Sequence, residues 1–409
     1  GVEMRELLQL AARNVLRQRG RSLMTLFAIA FGVVALILAG GFIKDTVDEL
    51  GESMIHSQSG HLQVNRAGYR EQGAREPAAY LLAEPEALRA QLQAIPAVEE
   101  VLLRNVFTGL LNNGRTDWAI IGEGVEPAAE ARLGTYINIA AGRQLTDSDP
   151  FGMMLGAGVA QALNLQPGDW VDLLTNTTDG AVNVLEFEVV GIFQTFSKDY
   201  DARAVRIPLP AAQELLGDPG VHLAVLRLAR TEATAAVQQA AQATLAERDV
   251  EVLDWRRLNP FYEQTVALYQ QQFGFLVLVI LLMVTLSVGN SINMNVYERA
   301  AEFGTMQACG APQRQIFRLV LLESAFLGAA GAVLGVVLGN GLALAISAVG
   351  IPMPPPPNSD IAYIALVRLA WWISGLAFAV GVLAPVIAAL RPARRAARAD
   401  IAESLRQAV

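Results

Sequence analysis

The chain of 409 residues is 53% hydrophobic and only 17% charged, with a formal net charge of −8 and a mean hydropathy of +0.35. A soluble domain carries about a quarter charged residues, so this composition calls for membrane spans. The single Cys309 excludes an intramolecular disulfide, the scattered His56, His61 and His222 exclude H-E-x-x-H chemistry, and no G-x-x-x-x-G-K-[ST] phosphate loop exists, because neither lysine (Lys44, Lys198) follows a glycine.

Residues 3–21 read as an amphipathic helix, with Leu7, Leu10, Ala11 and Asn14 on one face and Arg13, Arg17 and Arg21 recurring every four residues. The alternative is a plain positive flank that only sets orientation. Four stretches then reach the roughly 20 apolar residues that a membrane crossing needs: 22–43, 273–292, 319–348 and 369–390. The first is too long for the roughly 7–15-residue core of a cleaved signal and lacks a clear small-x-small cleavage site followed by polar sequence, so it reads as a retained anchor.

Arginines cluster before the first span (Arg5, Arg13, Arg17, Arg19, Arg21), between the second and third (Arg299, Arg314, Arg318) and after the fourth (Arg391, Arg394, Arg395, Arg398, Arg406). Positive flanks stay inside, so both termini and the short middle loop are expected in the cytoplasm. The insert 44–272, with 17 basic against 31 acidic side chains, is expected outside.

That insert reads as mixed α/β in two lobes. A strand at 61–69, a helix at 85–95 with Leu88, Leu92 and Ile95 on one face, and a strand at 98–103 are echoed by a second strand–helix–strand over 222–254. The two units flank a middle segment, about 122–210, of short strands and turns, which suggests one lobe built from discontinuous sequence. Further on, 264–295 has few helix breakers and predicts a second span that begins several turns above the membrane. Residues 351–358, IPMPPPPN, read either as a rigid polyproline connector or as a plain loop.

Gly331, Gly335 and Gly339 form a small-x-x-x-small ladder on the third span, for packing within one subunit or for a dimer seam. Glu323 near the end of that span reads as an anchoring or pairing residue, since a proton pathway needs several intramembrane charges. No nucleophile elbow or Ser/His/Asp pattern marks an enzyme on the outer side.

The segment 298–316, ERAAEFGTMQACGAPQRQI, resembles the signature of the FtsX-like permease family, which also holds the MacB-type exporters and the LolC/LolE-like permeases of lipoprotein release. Two further pieces resemble the same family: GMMLGAGVAQALNLQPGDWVDLL at 152–174, and RPARRAARADIAESLR at 391–406. The expected fold is therefore an α-helical membrane protein with four transmembrane helices and a mixed α/β extracytoplasmic domain of two lobes between helices 1 and 2. The expected division is 1–21 surface helix, 22–43 span, 44–272 MacB-like domain, 273–296 span, 297–316 coupling segment, 317–348 span, 349–368 Pro-rich loop, 369–390 span and 391–409 tail.

The resemblance implies a permease subunit of an ATP-binding-cassette transporter, not itself an enzyme, in the bacterial inner membrane. It implies no cofactor in this chain, with ATP and Mg held by two copies of a partner ATPase, and a second permease as homodimer or related heterodimer. A periplasmic adaptor or lipoprotein and membrane lipids complete the expected partners, with no nucleic acid. ATPase coupling falls to Glu298, Arg299, Glu302, Gly304, Ala308, Gly310 and Ala311, with Glu298, Arg299 and Glu302 expected exposed for docking and the like-charged i, i+4 pair Glu298/Glu302 seeking a cation on the partner. Gly304 and Gly310 are expected to permit tight turns. Where the family has a larger apolar residue, Cys309 implies a tolerated packing change. Lipoprotein-like cargo is the leading reading; drug, siderophore or peptide efflux through an adaptor, and a non-transporting permease that regulates a cell-wall hydrolase, are the alternatives.

Overall fold

The computed structural model describes Ala11 and residues 19–355 and 359–398. The expected surface helix over 3–21 and the tail beyond Arg398 lie outside the described residues, apart from Ala11 and the first residues of α1. So do Pro356, Pro357 and Asn358 of the Pro-rich connector. The chain forms two compact units, one helical, drawn from 1–47, 265–353 and 364–409, and one α/β, drawn from 48–264 and 354–363.

The long helices are α1 (Arg19–Met54), α2 (Pro260–Glu298), α4 (Gln313–Val349) and α5 (Trp371–Arg398), with the short α3 (Ala300–Ala308) between α2 and α4. Even the shortest of the four, α5, extends about 42 Å at 1.5 Å per residue, beyond the roughly 30 Å of a bilayer core. All four are apolar enough to cross a membrane. They overrun the apolar stretches of the sequence because polar residues continue the helical backbone past the hydrophobic run.

Within the helical unit α1 is central. Its Ile29, Val33, Leu36 and Ile37 are buried together with Val284 and Val288 of α2, Ala332 of α4 and Ala377 and Ala384 of α5. Gly32 faces Val284 and Ile280, while Gly40 faces Ile373 and Phe273, so absent side chains set the helix spacing. The buried Asp45 accepts from Arg368 Nε at 2.8 Å and from the Leu366 backbone N–H at 2.9 Å. Asn340 and Ser374 share a polar contact between α4 and α5 at 3.2 Å.

The α/β unit holds strands β1 (Leu62–Arg66), β2 (Val98–Asn112), β3 (Asp117–Val125), β4 (Asn138–Gly142), β5 (Gly152–Gly156), β6 (Trp170–Asn176), β7 (Val182–Gln194), β8 (Ala204–Pro208), β9 (Leu223–Leu228) and β10 (Val250–Asp254). They run in the order β10-β1-β9-β2-β3-β8-β5-β7-β4, with β6 pairing β2 and β7. The long β2 joins two strand groups: its first half pairs with β9 (Leu102↔Val225) and its second with β3 (Leu110↔Ala119) and β6 (Leu110↔Leu174). Helices Pro85–Gln93 and Thr234–Thr244 cover the first group, where Leu88, Leu92 and Val237 share a core with Leu62, Val64 and Leu226. Helices Ala157–Leu163 and Leu209–Leu216 cover the second, where Val159, Leu163 and Leu215 meet Phe107, Leu173 and Phe187. In the 152–174 segment, Gly156 lies against the Asp201 carbonyl, leaving no room for a Cβ, and Gly168 (φ 96) turns the chain into β6.

The loop between α4 and α5 is not an isolated connector. Ser359 is buried, and Asp360 pairs with Lys198 at 2.6 Å in the α/β unit.

Candidate functional site

The segment between α2 and α4 gathers most of the expected coupling residues. Glu298 ends α2 and is exposed, as expected. Arg299 is not: its side chain is only 10% exposed. Its guanidinium donates to Glu323 Oε2 at 2.7 Å and Oε1 at 3.2 Å, and its Nε donates to Glu302 Oε2 at 2.9 Å. It also stacks over Phe303 at 5.0 Å from the ring centroid. A bidentate guanidinium–carboxylate pair of this kind is among the stronger side-chain contacts. The cation that the Glu298/Glu302 pairing led us to expect on a partner is, for Glu302, in this chain. Glu323 is thus a pairing residue.

Beyond the bend, α3 is held on two sides: Phe303 is buried in the helical core, and Gln307 Nε2 donates to the Ala397 carbonyl of α5 at 3.1 Å. Its exposed positions are Glu302, whose side chain is 44% exposed, Thr305 and Ala308. These are spaced i, i+3, i+6 and so share one face. Cys309 is exposed as well, so it fills no packing position. Helix α3 closes with the Ala311 N–H on the Met306 carbonyl (3.0 Å) and the Gly310 N–H on the Gln307 carbonyl (2.9 Å). This is a Schellman turn, and it requires the left-handed backbone that Gly310 adopts at φ 95. Gly304 makes no turn; it is buried inside α3.

The glycine ladder is occupied within the chain. A Cβ on Gly331 would lie 2.9 Å from Ile29 Cβ, on Gly335 2.6 Å from Val33 Cβ, and on Gly339 3.0 Å from Ile37 Cδ1. Of the two roles left open for it, the contacts show packing of α4 against α1.

Sequence reasoning missed a buried ionic cluster in the α/β unit. Arg104 on β2 forms a fork with Glu130, including Nη2 to Oε2 at 2.8 Å, and donates to the Gln58 carbonyl. Arg206 on β8 donates to Glu123 at 3.0 Å, to the Ser57 carbonyl at 2.9 Å and to the Tyr200 hydroxyl at 3.2 Å. Burial would raise the Glu130 carboxyl, but Arg104 and then Arg206 outweigh it and hold the group below the usual range. Burial pushes the Tyr200 hydroxyl up. The available signal was an arginine inside each of two apolar strand runs, VLLRNVF and AVRIP, because a charge at such a position needs a partner.

Four membrane-length helices, a bent and internally braced segment between the second and third, and an α/β domain inserted after the first define a multi-pass membrane subunit. The MacB-like periplasmic core domain matches residues 22–244 and the FtsX-like permease C-terminal domain matches residues 274–401. The chain belongs to this family and is an ABC transporter permease of the MacB/LolC type. It is 26% identical to the lipoprotein-releasing system transmembrane protein LolC of Neisseria meningitidis, over 94% of each chain. It is 23% identical to an uncharacterized ABC transporter permease of Methanocaldococcus jannaschii, over 98% of each. It is also 26% identical to the macrolide export ATP-binding/permease protein MacB of Rhodospirillum rubrum, over 97% of this chain but 59% of that one.

Proposed function

We propose that this permease is driven by a separate ATPase and converts ATP hydrolysis into movement of its α/β domain, exporting or extracting lipoprotein-like or other hydrophobic cargo. The observation that carries the coupling is the geometry of α3: one face exposed at Glu302, Thr305 and Ala308, the other braced to α4 and α5. A push on such an element reaches two spanning helices at once. Likeness to LolC along nearly the full length of both chains supports the choice of cargo. ATP and Mg belong to the partner, two copies of which would serve two permeases.

The purified chain should hydrolyse no ATP until its ATPase partner is added; nucleotide hydrolysis by the chain alone would remove the division of labour. Glu302→Lys places a cation on the exposed face and should weaken ATPase copurification, by less than the roughly 2–5 kcal/mol of a fully desolvated charge pair because the side chain is partly wet. Glu302→Gln should do so less. Unchanged docking and coupled transport in both variants would leave Glu302 without this role.

In this reading α3 and the α5 end lie in the cytoplasm and the α/β domain lies outside. A maleimide that cannot cross membranes, added to intact cells, should label Asp179→Cys and not Arg398→Cys, both on a Cys309→Ala background. The reverse pattern would invert the map.

A further inference from the structure

The bend between α2 and α3 falls in VYERAAEF (296–303), a stretch with no proline or glycine. Sharp helix bends are usually made by Pro, by Gly/Ser pairs, by π-bulges or by an intruding side chain, and Glu, Arg and Ala favour continuing the helix. Helical hydrogen bonds persist on both sides, Arg299 N–H to the Asn295 carbonyl and Phe303 N–H to the Arg299 carbonyl, both at 3.1 Å. Arg299, the one residue between the two helices, lies off helical geometry at φ −100 and ψ 11. Its backbone carries no intrinsic reason to do so, whereas its side chain is held by Glu323, Glu302 and the Phe303 ring.

We propose that Arg299 is the positioning residue of this segment. Its ion pair with Glu323 sets the bend and passes load from α3 into α4, and its release lets α2 and α3 merge into one helix. The released state has a destination. Asn295 lies one turn before Arg299, on the face an uninterrupted helix would give both. Among the described residues, the buried Asn295 Oδ1 has no hydrogen-bond partner in the bent state. Asn295, Arg299, Glu323, Ser22 and Ser324 line the same cavity of about 50 Å³, which gives the guanidinium space to withdraw. Two discrete side-chain arrangements around one hinge are what a switching element needs. The transmission role rests on the function proposed above; the catch itself does not.

The test is the distance between spin labels at Leu286→Cys and Thr305→Cys, both exposed positions, in the full chain on a Cys309→Ala background. The protein is reconstituted in nanodiscs and diluted with unlabelled chain. A merged helix would separate these backbones by about 28 Å, at 1.5 Å per residue, and the bend shortens that span. Arg299→Ala, and more mildly Glu323→Gln, should move population towards the long distance. The swap Arg299→Glu with Glu323→Arg should restore the short one. An unchanged distribution in both single variants, or a swap that stays long, overturns the proposal.

With the ATPase added, Arg299→Ala should keep hydrolysis and lose cargo movement per ATP, and Arg299→Lys should recover part of that ratio. Undiminished cargo movement per ATP would overturn the transmission role. If no ATPase binds even the unaltered chain, the proposed function fails while the distance result still decides the catch.

Discussion

Glu130→Gln should cost the α/β domain about 3–5 kcal/mol of stability, the usual consequence of leaving one member of a buried ion pair uncompensated. The Arg104 and Glu130 side chains are only 2% and 4% exposed, so water cannot take over the lost charge. Arg104 would keep the Gln58 carbonyl, and Arg206 would keep Glu123 and Ser57. Neither replaces the carboxylate between the two guanidiniums, since Arg206 Nη1 also lies 3.9 Å from Glu130. The measurement is hydrogen exchange at β2 and β8 amides of the full chain in nanodiscs, with Arg66→Gln as the control. Arg66 pairs with Asp249 where the side chains are 46% and 71% exposed, and such surface pairs add little. Wild-type protection in Glu130→Gln would show that the cluster does not hold the fold.

The features legible in the sequence are those that depend on runs and periods. Four apolar stretches identify the spanning helices because hydrocarbon demands length and low charge, whatever the neighbours. The apolar spacing of Leu88 and Leu92 identified a buried helix face for the same reason. Pairwise geometry was not legible. Arg299 reads as a surface charge in ERAAEF, and its burial depends on Glu323, which a turn and part of a second helix bring back to it. Gly304 and Gly310 look equivalent in the motif, yet one lies within a helix and the other alone takes a left-handed backbone. The 104/130/206 cluster joins residues 26 and 76 positions apart on different elements, and no local pattern links them. The glycine ladder announced a close helix approach without naming the helix.

Because that helix is α1 of the same chain, Gly335→Leu should damage the folding of the membrane unit and not simply its self-association. The first added atom would meet Val33 Cβ at 2.6 Å and the Ala30 carbonyl at 2.9 Å, and the latter is backbone that cannot rotate away. Val33 is also confined from another side, since a Cβ on Gly381 of α5 would lie 2.8 Å from its Cγ2. Relief therefore requires α4 to move off α1, losing the van der Waals contact that holds helices together in lipid. Overpacking of a fitted core costs about 1–3 kcal/mol, and a branched side chain against backbone belongs at the upper end. Gly341→Leu is the matched control, six positions along the same helix, where nothing among the described residues lies within 4 Å of an added Cβ. Unfolding by steric trapping in lipid should separate the two variants, with Gly341→Leu close to the unaltered protein. If Gly335→Leu instead unfolds normally but no longer self-associates, the ladder is a seam between subunits and the α1 contact is not what the glycines serve.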